Sequence, residues 1–315
     1  MKRTRGNIER PALIFSSDWH IRSAVPLCRT DDFVATMWRK VDFIINLSNK
    51  YGKIPVLISG DVGDKAQWLN WLLAEFIRRV NGTDIVAIPG QHDLQNHIVA
   101  EWSNCGIGVL HEAGAIRINP FTKVYNFNGI SVFPFSYGVP ISEPIEAVLG
   151  SRNIAMTHQL VLEGEGAGWE SEKGVSAEAL LEKFSQYDVI LSGDNHKPFT
   201  VAYDGRLLVN PGSILRLKSD QIEHKPRVYL YYAESNRVEP VYLPIEEGVI
   251  DTTHIEEAEV KEERREAVFA YIEKLKGEIE LGLDYESNCK KYLAGNKTAK
   301  EISDKLFEWI EKAKK

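Results

Sequence analysis

The 315 residues suffice for one large α/β domain, with or without an appendage, and 43% apolar against 26% charged residues is an ordinary globular balance. A formal net charge of −7 excludes a protein that grips nucleic acid through a broadly basic surface, so any such contact must be local, metal-mediated or helped by a partner. Cys28, Cys105 and Cys289 are odd in number and far apart, against a disulfide framework. The apolar run Ala12 to Phe15 is too short for a signal peptide and no stretch approaches the roughly eighteen apolar residues of a membrane span, so the expectation is a cytoplasmic protein.

In chain order, "PALIFSS" (11–17) predicts a buried strand. Residues 31–50 predict a helix, with Phe33, Met37, Val41, Ile44 and Ile45 on one stripe and capping Asp residues at its start. The strand "IPVLIS" (54–59), a helix over 66–80 and the strand "DIVAIP" follow, an alternation that argues for parallel strands covered by helices. Short β-like pieces come next: "GVL", "AIRI" and "KVYNFNGISVFPF". "NIAMTH" (153–158) ends in His158, and the Gly-rich acidic stretch 163–174 reads as a mobile loop. A helix at 176–186, the strand "YDVILSG" (187–193) and a closing set of strands over 199–244 complete the core. Charges dominate beyond residue 246, with helical stripes through Val268, Ile272, Leu275 and Ile279, so the expected division is a domain at 1–250 and a helical extension at 251–315.

Polar groups follow these apolar strands with regularity. Asp18 and His20 come after the first, Asp61 after the second, Gln91 and His92 after the third, then His158, then Asp194 and His196. Four of the eight histidines fall in these turns. Sites in open α/β sheets form at the carboxyl ends of strands, so the five turns should converge. Oxygen and imidazole donors without thiolate suit Mn, Mg, Fe or Zn, and there are enough of them for two ions. Asp93 reads as a turn or helix-cap carboxylate.

Asp18-Trp19-His20, Gly60-Asp61, Gly90-Gln91-His92-Asp93, His158 and Gly193-Asp194-Asn195-His196 resemble, in order, the signature of the calcineurin-like metallophosphoesterases. The resemblance spans about residues 11–245, with "NPGS" (210–213) similar to the family's final core segment. Within the family the chain looks most like the SbcD-type DNA-repair nucleases, the nuclease subunit of the Mre/Rad complex, and most like their viral members. The resemblance implies a four-layer α/β/β/α sandwich. It implies a first metal on Asp18, His20, Asp61 and His196, and a second on Asp61, Gln91, His158 and Asp194. It gives His92 the part of general acid, oriented by Asp64. Gln91 and Asp194 depart from the family's Asn and His. Three site carboxylates against two dications favour Mn, with Mg the next choice, over zinc.

The implied activity is Mn-dependent cleavage of DNA phosphodiesters, in partnership with an SbcC-like coiled-coil ATPase that docks on the C-terminal helices. No P-loop pattern occurs, so ATP-driven work requires such a partner. The other readings are a phosphoesterase for nucleotides or cyclic nucleotides, favoured by the acidic balance, and a scaffold that kept the fold without catalysis. Arg29 reads equally as a phosphate clamp or an ion pair, and Trp169 as part of a solvated loop or a base-stacking lid. Trp68, Trp71, Leu72 and Phe76 read as core, or as the face through which SbcD-type nucleases form homodimers.

Overall fold

The computed structural model describes residues 9–120, 124–143, 151–164 and 174–253, together with Asp304, Lys305 and Glu308. The chain divides into two units, Met1–Asp251 and Thr252–Lys315. The expected C-terminal helices and the loop carrying Trp169 lie outside the described residues.

The first unit holds two six-stranded sheets. One takes β1 (Leu13–Ser16), β2 (Val56–Ile58), β3 (Ile85–Ala87), β4 (Arg117–Ile118), β13 (Arg227–Tyr232) and β14 (Arg237–Tyr242), in the order β14-β13-β1-β2-β3-β4. The other takes β5 (Tyr125–Phe127), β6 (Ile130–Phe135), β7 (Arg152–Thr157), β10 (Val189–Leu191), β11 (Phe199–Tyr203) and β12 (Arg206–Asn210), in the order β11-β12-β10-β7-β6-β5. Strands β8 (Val161–Leu162) and β9 (Val175–Ser176) form a small separate pair. Both large sheets have parallel centres: β1, β2, β3 and β4 in the first, β6, β7, β10 and β12 in the second.

Successive residues of a strand face opposite ways, and here both faces are apolar. Leu13 and Phe15 of β1 pack with Leu57, Val86, Met156, Leu191 and Tyr231 between the sheets, whereas Ile14 packs outward with Val56, Ile58 and the helices. Helices α1 (Phe33–Lys50), α2 (Asn70–Val80) and α3 (Gly106–Glu112) cover the first sheet, and α4 (Ala177–Lys183) covers the second through Ala177, Leu180 and Leu181. The result is the expected four-layer sandwich.

Local chemistry explains the ends of these elements. Asp32 caps α1 by accepting from the Ala35 amide at 3.1 Å, and Met37, Val41 and Ile44 bury completely on its inner stripe. The β5–β6 hairpin turns through Asn128 (φ 37°) and Gly129 (φ 81°), the pair that a two-residue turn of positive φ requires. Two expectations are corrected. "GVL" belongs to α3 and not to a strand, because Ile107 and Leu110, three apart, bury side by side against α2. Helix α2 starts at Asn70, four residues later than its apolar pattern suggests, and it buries Leu72 and Phe76 while leaving Trp71 48% exposed. Among the described residues no helix is long and apolar enough to cross a membrane.

Candidate metal centre

The parallel strands of both sheets deliver their carboxyl ends to one place. Asp18 and His20 follow β1, Asp61 follows β2, Gln91 and His92 follow β3, His158 follows β7, and Asp194 and His196 follow β10. Asp18, His20, Asp61 and His158 are buried at 2% exposure or less, which no unpartnered polar group tolerates cheaply. Of the ten non-glycine residues with positive φ among the described residues, Asp18 (50°), His20 (45°), Asp61 (52°) and Asp194 (73°) are in this cluster. Such left-handed conformations cost roughly 1 kcal/mol or more each and persist where the surroundings impose them.

Those surroundings are specific. The Ser17 hydroxyl donates to Asp18 Oδ2 at 2.5 Å, the Asp194 amide donates to Asp18 Oδ1 at 3.3 Å, and the His92 amide donates to Asp61 Oδ1 at 2.9 Å. His158 donates from Nδ1 to the Ser59 carbonyl at 2.6 Å, which turns Nε2 toward Asp61. Buried Asp93 accepts from the Val62, Gly63 and Gly90 amides at 3.1, 2.8 and 3.0 Å, and so ties the turn after β2 to the turn after β3. A Cβ on Gly90 would collide with the Asp61 carboxylate, so only glycine permits that approach. Asn210 holds the Asn195 and Lys197 carbonyls at 2.7 and 2.8 Å, on either side of His196.

What these supports leave unpaired is informative. His20 Nε2 lies 3.9 Å from Asp18 Oδ1 and 3.8 Å from Asp61 Oδ2, and His196 Nε2 lies 3.9 Å from Asp18 Oδ1. These gaps exceed hydrogen-bond range. His20 and His196 point their Nε2 atoms at each other across 3.1 Å. His158 Nε2, Asp61 Oδ2 and the Gln91 side-chain oxygen are buried without a hydrogen-bond partner. Among the described residues, three clusters bring ligand atoms within 4.8 Å of one another: Asp18 with His20 and His196, His20 with Asp61 and His92, and Asp18 with Asp61 and His158. Donors gathered this closely and turned toward one another suit cations.

Burial and proximity set the protonation of these groups against one another. Burial pushes the Asp18 carboxyl up to about 7, against the pull of His158. Burial drives the His20 and His196 imidazoles down to about 3 and about 4. Burial acts to lower His158 as well, yet Asp61 beside it raises the imidazole to about 10. The counterpart is Asp61, where burial works upward but His158 prevails and holds the carboxyl below its usual range. The protonated His158–Asp61 pair thus stands where a metal would replace a proton.

The pattern of the calcineurin-like phosphoesterase superfamily domain matches residues 13–230. The chain belongs to that superfamily. It is therefore a metal-dependent phosphoester hydrolase, of a family whose sites take two divalent ions, and its own Asp and His clusters are candidate ligands. Among solved structures it is similar to an archaeal phosphodiesterase (15% identity over 73% of this chain and 99% of that one, TM-score 0.40). It is also similar to a phosphopantetheinyl hydrolase from Mycobacterium tuberculosis (14%, 74% and 96%, TM-score 0.46). A third is a putative 5′-nucleotidase from Staphylococcus aureus (11%, 76% and 55%, TM-score 0.45). No curated protein matches significantly.

Not every expected residue joins the cluster in the expected way. The Gln91 side-chain amide donates to Asp194 Oδ1 at 2.5 Å, so these two departures from the family pattern hold each other. His92 is exposed, edge-on to His20 at 5.0 Å, and its Nδ1 lies 3.2 Å from the main-chain oxygen of Asp64. The Asp64 carboxylate is taken by Arg22 at 2.9 Å, so Asp64 meets the imidazole through its backbone and not its side chain. Arg29 is not a phosphate clamp. Its guanidinium is buried, bidentate to Asp31 at 2.8 and 2.6 Å and donating to the Arg216 carbonyl at 3.1 Å, a structural ion pair. Asp93 is the turn carboxylate the sequence suggested, whereas Ser59 and Asn210 were not visible as site residues, although "NPGS" marked the neighbourhood of Asn210.

Proposed function

We propose that the protein is an Mn-dependent DNA phosphodiesterase, an exo- or endonuclease subunit of an SbcCD-like complex. The observation that carries the hydrolytic part is the buried set of Asp61 Oδ2 and His158 Nε2, 3.4 Å apart and facing each other, with Gln91 Oε1, beside the Asp18–His20–His196 cluster. The sequence motifs carry the DNA part. Asp18, His20, Asp61 and His196 would hold one ion, and Asp61, Gln91, His158 and Asp194 the other. Held there, two divalent ions would supply charge to neutralise the phosphate oxygens and to activate a water. Asp61, shared between the sets, is kept ionised by His158 and oriented by the His92 amide.

His92 completes the hydrolysis. Because the Asp64 carbonyl can only accept, His92 Nδ1 is the nitrogen that donates to it, and Nε2 carries a proton to hand over only in the imidazolium form. As water attacks phosphorus and the P–O bond to the leaving group breaks, the departing alkoxide takes that proton. A small phosphoester, a nucleotide or a cyclic nucleotide, is the second reading, favoured by the net charge of −7. An SbcC-like ATPase would dock through the C-terminal unit. Of Trp68, Trp71, Leu72 and Phe76, the last two are core and Trp68 packs against it, so Trp71, 48% exposed, is the one through which two copies would pair.

The deciding experiment is Mn-dependent cleavage of end-labelled single- and double-stranded DNA, beside His92→Ala and His196→Ala. Cleavage by the wild type that both variants lose supports the nuclease. Hydrolysis of small phosphoesters with no cleavage of DNA, alone or with the ATPase, transfers the assignment to the second reading.

A further inference from the structure

A cavity of about 470 Å³ opens directly on His158 and Asp194, within the usual size range of about 300–1,000 Å³ for ligand sites. Its other walls are Tyr137, Val139, Pro140 and Leu160, with Gln159 the one uncharged amide on its lining. The wall is built, not incidental. The Tyr137 amide donates to the Pro89 carbonyl at 3.0 Å, directly before the Gly90–His92 turn, and the Val139 amide closes a turn onto the Ser136 carbonyl at 2.9 Å. The half-buried Tyr137 ring stands 6.5 Å from the His158 ring and 5.9 Å from the His97 ring, centroid to centroid. An aromatic plane is therefore held beside His158, one of the residues assigned to the second ion, in a cavity that Asp194 also lines.

The position of the cavity also says which part of a substrate it can take. His92, the proton donor to the leaving group, lies against His20 and Asp64. The cavity lies against His158 and Asp194 and does not include His92. We infer that this cavity receives the ester group that stays on the phosphorus, and that it selects a nucleoside there by stacking the base on Tyr137. An aromatic ring with aliphatic walls rewards a flat, weakly polar ring over a bare alkyl chain, whichever base it is. The inference rests on the phosphodiesterase assignment above and would hold for a nucleic acid or a nucleotide ester alike.

The test uses two chromogenic diesters with the same p-nitrophenolate leaving group, thymidine 5′-(p-nitrophenyl) phosphate and methyl p-nitrophenyl phosphate, with Mn and the full chain. The wild type should favour the thymidine ester about tenfold or more in kcat/KM, mostly through KM. An ester carrying the tetrahydrofuran sugar without a base should behave like the methyl ester. In Tyr137→Ala the preference should collapse toward unity, and in Tyr137→Phe it should persist. A wild-type ratio near one overturns the inference without any variant, and so does a ratio that survives in Tyr137→Ala. DNA cleavage measured in parallel separates the two claims. Loss of DNA cleavage with the ratio intact removes the nuclease and leaves the pocket, and DNA cleavage with a ratio of one does the reverse.

Discussion

His92 is exposed while the donors around it are buried, and that contrast separates its part from theirs. A group that hands a proton to a departing oxygen needs access to the substrate, and its value depends on how poor the leaving group is. Removing it in His92→Ala should lower DNA cleavage by about 10²–10⁴, the usual worth of a general acid, because a sugar alkoxide leaves poorly without a proton. The same variant should hydrolyse p-nitrophenyl esters nearly as fast as wild type, since p-nitrophenolate leaves as the anion. Steady-state rates on both substrates check this, and equal losses on both would show that His92 serves the site in another way. Asp18, His20, Asp61 and His196 were legible because each follows an apolar run by one to five residues. Arg29 was not, because its partners Asp31 and the Arg216 carbonyl are settled by packing, the second from 187 residues away.

At the scale of elements, the site is a set of turns that must be held in register. Asp93 does this for two of them, accepting three backbone amides from complete burial. Asp93→Ala would leave those amides unpaired in the interior, at a cost of about 3 kcal/mol. Denaturant unfolding should show that loss, and Mn binding by calorimetry should weaken with it because the Asp61 and Gln91 turns separate. Unchanged Mn affinity in a destabilised variant would confine Asp93 to folding. The element pattern itself was legible from periodicity wherever strands ran continuously apolar. It misled at α3, where a short apolar run is equally compatible with helix and strand and the covering residues of α2 decide.

At the scale of the molecule, Lys40 joins the helical layer to the segment that follows β12. It is 1% exposed and donates to the Ile214 carbonyl at 2.8 Å. Burial, aided by Arg216 and Arg29, lowers its ammonium to about 7. The unfolded chain keeps that proton to about pH 10, so between the two values it binds more protons than the folded one, and folding gains stability as pH rises. Below about pH 7 both forms are charged and the burial penalty is present in full. Lys40→Met removes the titration, and also the hydrogen bond, which is a pH-independent offset. From pH 7 to 8.5 wild type should therefore gain on Lys40→Met by about 1 kcal/mol per pH unit, read from parallel denaturant titrations. A constant difference across that range would show that Lys40 stays charged in the folded protein.

The sequence by itself determined the alternation of strands and helices and the polar residues that end each strand, because both are local: a hydrophobic run sets the strand, and the next few residues form its tip. It thereby determined which residues could meet. Only the tertiary structure decided how they meet. Two sheets stacked face to face bring His158 beside Asp61 and His196 beside Asp18, pair Gln91 with Asp194, turn Asp64 away from His92 toward Arg22, and open a cavity beside Tyr137. Those relations join residues from separate strands and both sheets, and they arise from close packing between layers, which no stretch of chain carries alone.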